Sequence, residues 1–191
     1  ESALNFSPPD PIGVVLYTQQ AFTDITKAPG WAGALNDGRI RVPVQGLTSM
    51  TPELSRVLKH ELTHSFVGQK THGHAPAWMQ EGLAQWMEGQ RSGQSAAILS
   101  QIYADGHAAS LGHLEGSWLA LNSDQAAYAY EWALANIESM IEADGMGDIE
   151  RILDRIGSGQ PTEAALREVL HSDYAEVSQS TNDYLRKTYL H

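Results

Sequence analysis

Residues 59–66 read KHELTHSF: two histidines stand four positions apart, with a glutamate beside the first. Just upstream, Thr51 before Pro52 gives an N-cap followed by a proline at the first helical position. Leu54, Val57, Leu58, Leu62 and Phe66 then recur at helical spacing, and Gly68 is the expected stop. On such a helix His60 and His64 lie one turn apart on one face, where both imidazoles can reach a single metal ion. Glu61 is offset by one residue, so its carboxylate stands beside that ion rather than on it, within reach of a water's proton. The same letters also fit a plain helix carrying two surface histidines and an ordinary glutamate.

The next segment bears on that choice. A polar loop, GQKTHGHAP, leads to a second helix beginning near Pro76 and carrying AWMQEGLAQWME. A tetrahedral catalytic metal site needs a third protein ligand and one position left open. Glu81 is the candidate, far enough from His64 for one helix to end, a loop to turn and a second helix to pack alongside. It falls among Trp78, Met79, Leu83 and Trp86, and a charge in apolar surroundings needs a partner. Gly82 and Ala84 are small enough to let two helices approach closely.

Before this pair, a proline-rich lead, NFSPPDP, precedes an apolar run over residues 12–17 that reads as a buried strand. Asp37-Gly38 is a turn signal, and beyond it Ile40, Val42 and Val44 alternate with Arg39, Arg41 and Pro43 as in a half-buried strand. Pro43 cannot donate to a ladder, so this strand is expected at a sheet edge or to end there. After the pair, helices are expected over residues 96–103, 124–143, 148–156, 162–170 and 172–190. Strands first and helices afterwards make an α+β chain. We expect one domain over residues 1–191, with the sheet and the histidine helix in 1–68 and a mainly helical lobe in 69–191.

Composition narrows the function. At 191 residues the chain can bury a proper core, and with no cysteine any metal must rest on histidine and carboxylate. A formal net charge of -11 and the lack of a basic stripe argue against nucleic acid as a partner. No apolar run approaches the roughly 18 residues of a membrane span. The chain opens at Glu1 rather than Met, as a processed protein or an excised domain would. Its compartment therefore stays open between a soluble exported bacterial protein and a piece of a longer chain with other domains. His72 and His74 fall in the inter-helix loop, where solvated side chains are expected, and His107, His113, His171 and His191 read as structural or surface residues.

HELTH followed by WMQEGLAQWME resembles the gluzincin clan of zinc metallopeptidases. The second block is similar to the Asn-Glu-Gly-Phe-Ala pattern of aminopeptidase-N-like enzymes, which closes in a glutamate. EGLA is the form seen in the peptidase MA-like domain of bacterial proteins, and a weaker likeness runs from about Pro11 to the end of the chain. The resemblance implies a zincin-like fold: a small mixed β-sheet over the active-site helix, with a helical C-terminal lobe as the other wall. It implies one zinc ion held by His60, His64 and Glu81, with Glu61 as general base and proton shuttle. Glu88 matches the closing glutamate and would orient a ligand histidine, unless it is only a solvated surface acid. AYAYEW, residues 127–132, resembles the segment supplying an oxyanion-stabilising tyrosine. Tyr128 is the matching position and Tyr130 the alternative, against a plain core aromatic in both cases.

The implied activity is hydrolysis of peptide or protein substrates; the alternatives are a zinc-containing interaction module with little turnover and a metal-independent helical scaffold. GALNDGRIRVP, residues 33–43, reads as an edge strand able to pair with an extended peptide, with Gly33, Ala34, Leu35 and Asn36 as its substrate-binding part. That stretch loosely resembles the Gly-Ala-Met-Glu-Asn segment of aminopeptidases, whose glutamate captures a free α-amino group. Asn36 stands in the acid's place and offers no charge-assisted clamp, so internal cleavage is expected.

Overall fold

The histidine helix forms where its start signal puts it. In the computed structural model, which describes residues 6–27, 33–44, 46, 49–89, 93–105, 109–118 and 120–189, α2 spans Pro52–Lys70. Thr51 caps it, its hydroxyl oxygen accepting from the Leu54 amide at 3.2 Å. The helix runs past Gly68, the expected stop, because the reversal is made by His72 (φ 52°) and Gly73 (φ 77°) instead. Thr71 closes the last turn, its hydroxyl donating to the Val67 carbonyl at 2.7 Å.

Ahead of α2 lie β1 (Val14–Tyr17), α1 (Gln19–Thr26), β2 (Leu35–Asn36) and β3 (Ile40–Pro43). The strand order is β1-β3-β2, with β1 parallel and β2 antiparallel to β3. β3 is therefore central, and Pro43 is tolerated because the strand ends on it, opposite Tyr17. Ile40, Val42 and Phe22 of α1 are buried. The edge strand beside α2 is β2, whose two residues are half-buried. Asn36 ties it down by donating from Nδ2 to the Glu61 carbonyl (3.1 Å) and to Ser65 Oγ (2.8 Å).

After α2 the chain is helical: α3 (Ala77–Glu88), α4 (Gly93–Asp105), a 3₁₀ turn (Leu111–Leu114), α5 (Ser123–Asp144), α6 (Met146–Gly157), α7 (Thr162–Val169) and α8 (Tyr174–Tyr189). The central element is α5, capped at its start by reciprocal bonds between Asn122 and Gln125. Its Trp132, Ala133 and Ile137 meet Trp78, Met79 and Leu83 of α3 in a core that Ile149, Ile152, Leu166 and Val177 extend. Gly82 makes the α3–α5 approach possible, since a Cβ there would lie 2.6 Å from the Ala133 carbonyl oxygen. The architecture is α+β, a small mixed sheet beside the histidine helix with helices making the rest, as in a zincin. Among the described residues, α1 and the 3₁₀ turn lay outside the expected outline.

Candidate functional site

α2 presents His60 and His64 on one face, and α3, packed alongside, brings Glu81 to the same point. The two Nε2 atoms are 3.0 Å apart, and Glu81 Oε2 lies 3.6 Å from each. Four ligands at tetrahedral angles and about 2.0–2.1 Å from one zinc ion would lie about 3.3–3.4 Å from one another. The three observed separations bracket that figure. Glu81 Oε2 is buried with no hydrogen-bond partner, an arrangement that costs free energy unless a cation shares it. Among the described residues no other group of three histidines and acids lies close enough to hold a metal. The donor set therefore fits a single divalent ion.

The surroundings orient these donors. Glu88 Oε1 lies 2.6 Å from His60 Nδ1, and Arg56 Nη1 donates to Glu88 Oε2 at 2.7 Å. In the neutral ring that a metal ligand must be, a proton on Nδ1, shared with Glu88, leaves the Nε2 lone pair of His60 for the metal point. Burial disfavours the His60 cation, but the Glu81 and Glu88 carboxylates outweigh it and push its pKa up to about 9. His64 is held below the ordinary value, chiefly by burial. Its ring also meets the Gln80 side chain, whose Nε2 is fixed on the Ala75 carbonyl at 3.0 Å. Burial raises the pKa of Glu61, with His60 opposing and the negative charge of Glu81 adding to the rise. Burial also opposes ionisation of Glu88, yet His60 and Arg56 bring its pKa below the ordinary value.

These groups line a cleft of ≈ 940 Å³ that Gly33, Ala34, Leu35 and Asn36 also line. Asn36 turns its side chain to α2, so its amide groups serve to dock β2. Tyr128, the matching position, is not among the described residues that line the cleft. Tyr128 packs against the core, and its hydroxyl oxygen accepts from the Ala109 amide at 3.3 Å. Tyr130 lines the cleft instead. Burial, with the negative charges of Glu81 and Glu61, pushes its pKa up to about 12, so its hydroxyl keeps its proton. Trp118 stands edge-on to its ring at 5.1 Å. His72, His74, His113 and His171 are exposed, while His107 and His191 lie outside the described residues.

Three contributors escaped the sequence reading. Gln85 donates from Nε2 to the carbonyls of Tyr130 (2.8 Å) and Glu81 (3.2 Å), clamping α3 to α5 beside the site. It stands four residues after Glu81, as Arg56 stands four before His60, so helical spacing could have found both. Nothing in the sequence marks Trp118.

A family model described as the peptidase MA superfamily matches residues 5–187. The chain belongs to the peptidase MA superfamily. No curated protein and no solved structure matches it. Membership gives this peptidase MA chain a peptidase-like role, with peptides as its substrates. No helix among the described residues is long and apolar enough to cross a membrane.

Proposed function

We propose that this chain is a zinc-dependent endopeptidase. The observation carrying this reading is the convergence of two imidazole nitrogens and one buried, unpartnered carboxylate oxygen, with Glu61 beside them and an open cleft in front. A zinc ion on His60, His64 and Glu81 would supply Lewis acidity to a water molecule and to the substrate carbonyl. Glu61 takes a proton from the attacking water and passes it to the leaving amine nitrogen. Burial raises its pKa, the direction that makes a carboxylate a better proton acceptor. The Tyr130 hydroxyl, protonated throughout, donates to the oxygen on which negative charge develops. Glu88 keeps His60 in the tautomer that the site needs.

Internal cleavage is supported by what the cleft lacks. Among the described residues that line it, the acids are Glu61, Glu81 and Glu88, all gathered at the histidine pair, and Asn36 offers no charge to a free amino terminus. Residues 33–36 leave an edge along which an extended peptide can lie.

The test is direct. Purified protein should hold about one equivalent of zinc and cut an acetylated peptide internally. Glu61→Gln should keep the zinc and lose more than ~10²-fold in turnover. Full zinc content after His64→Ala, or near-normal cleavage by Glu61→Gln, would sink the assignment.

A further inference from the structure

Arg56 lies one turn before His60, on the face of α2 that lines the cleft. Its Nη1 is engaged by Glu88, yet its remaining guanidinium N–H groups have no partner among the described residues, and the side chain is 47% exposed. Among the described residues it is the one lysine or arginine lining the cleft, whose other described charged residues are acids or histidines, in a chain with a net charge of -11. Holding Glu88 takes one N–H. The free edge of a guanidinium offers parallel donors that match a second carboxylate.

The contacts of β2 give the cleft a direction. At Gly33 a Cβ would lie 3.9 Å from Val57 Cγ2, whereas Asn36 bonds Glu61 and Ser65 further along α2. β2 therefore runs the same way as α2 and begins at the Arg56 end. A peptide added antiparallel to β2, the commoner pairing, runs the opposite way and brings its C-terminal part towards Arg56. One helical turn separates Arg56 from His60, about 5–6 Å between Cβ atoms. An extended chain covers that in one or two residues, at about 3.3 Å each.

Resting on the peptidase reading above, we propose that Arg56 selects substrates with a carboxylate one or two residues to the C-terminal side of the bond to be cut. The carboxylate can be an aspartate or glutamate side chain, or the free end of the peptide. Arg56 is thus a specificity-determining residue, apart from the groups that move protons.

The experiment uses a peptide library in free-acid and C-terminally amidated forms, cut by the zinc-loaded protein and by its Arg56→Gln variant, with cleavage sites mapped by mass spectrometry. Arg56 also holds Glu88, so Arg56→Gln lowers all rates, and the readout is the ratio of glutamate to glutamine at each position. We expect glutamate to be favoured about tenfold just beyond the cut and the ratio to fall to about one in the variant. A preference for cuts two residues from a free end, lost on amidation, identifies the terminal carboxylate as the source. The same library is also captured on immobilised Glu61→Gln protein and on the Glu61→Gln, Arg56→Gln double variant, which reads recognition without turnover. Acidic peptides enriched by the first and not the second support the role of Arg56 even if no peptide is ever cut, an outcome that would remove only the peptidase reading. Equal glutamate-to-glutamine ratios in capture with and without Arg56, or a preference confined to the N-terminal side of the cut, overturn the proposal.

Discussion

Tyr128 and Tyr130 are two positions apart on α5, so their side chains leave the helix about 200° apart and cannot serve one cavity. Tyr128 is turned to the core and the Ala109 amide; Tyr130 is turned to the cleft. Tyr130→Phe should therefore lower kcat by ~10² or more with zinc content and melting temperature unchanged. Tyr128→Phe should leave kcat alone and cost about 1 kcal/mol of stability, the worth of one partly buried hydrogen bond. Steady-state kinetics and thermal melts of the two variants read this, and the reverse pattern would return the role to Tyr128. The sequence could not separate the two. α5 is buried on several sides, with Ala129, Trp132, Ala133 and Ala135 all inside, so apolar periodicity does not single out the face that meets the cleft. The convergence of His60, His64 and Glu81 was legible because it depends on spacing along a helix and on a charge left in apolar surroundings. The bonds of Asn36 to α2 depend on how a strand docks against a helix, which no local pattern carries.

The helix pairs obey the same division between local and tertiary signals. The Thr51-Pro52 start of α2 is local chemistry and formed as read, whereas its end was displaced from Gly68 because a glycine permits a stop without requiring one. α1 went unread although Thr18 caps it, its hydroxyl oxygen accepting from the Ala21 amide at 3.2 Å. Its eight residues are too few for helical periodicity to stand out. The glycine of EGLA shows how an element contact reaches the chemistry. Between Glu81 on α3 and Tyr130 on α5, Gly82 lets the two backbones close, and Gln85 bonds across them. Gly82→Ala must push Ala133 and Ile137 away. It should cost about 1–3 kcal/mol, the usual range for overpacking, and should lower kcat as Tyr130 shifts relative to Glu81. Gly147, on α6, has open space where a Cβ would go. Gly147→Ala should thus leave kcat unchanged and stabilise by about 0.5–1 kcal/mol through helix propensity alone. Denaturant melts of both variants check the pair, and a harmless Gly82→Ala would mean that the α3–α5 contact does not hold the site.

Across the molecule, the candidate metal point is where two differently built parts meet. On one side stands α2, with β2 fastened to it by Asn36; on the other stands α3, packed into the helical core through α5. α2 and the core also meet where Gly157 of α6 abuts the Lys70 carbonyl, at the far end of α2 from Arg56. An ion held by His60, His64 and Glu81 would cross-link α2 to α3 at a point where the protein itself leaves a buried oxygen unpaired. Binding to the folded state alone then appears as stability. At free zinc a hundredfold above the dissociation constant the gain is about 2.7 kcal/mol, or about 5–10 °C in melting temperature for a chain of this size. Chelation should remove that gain. Its local signature should be faster amide exchange in α2 and α3, while amides of α7 and α8 that open locally keep their rates, because the cross-link does not touch them. His64→Ala should melt at the same temperature with and without zinc, since two remaining ligands hold the ion far less tightly. A wild-type protein whose melting temperature ignores zinc, or a His64→Ala variant that still gains from it, would show that the three side chains do not share an ion.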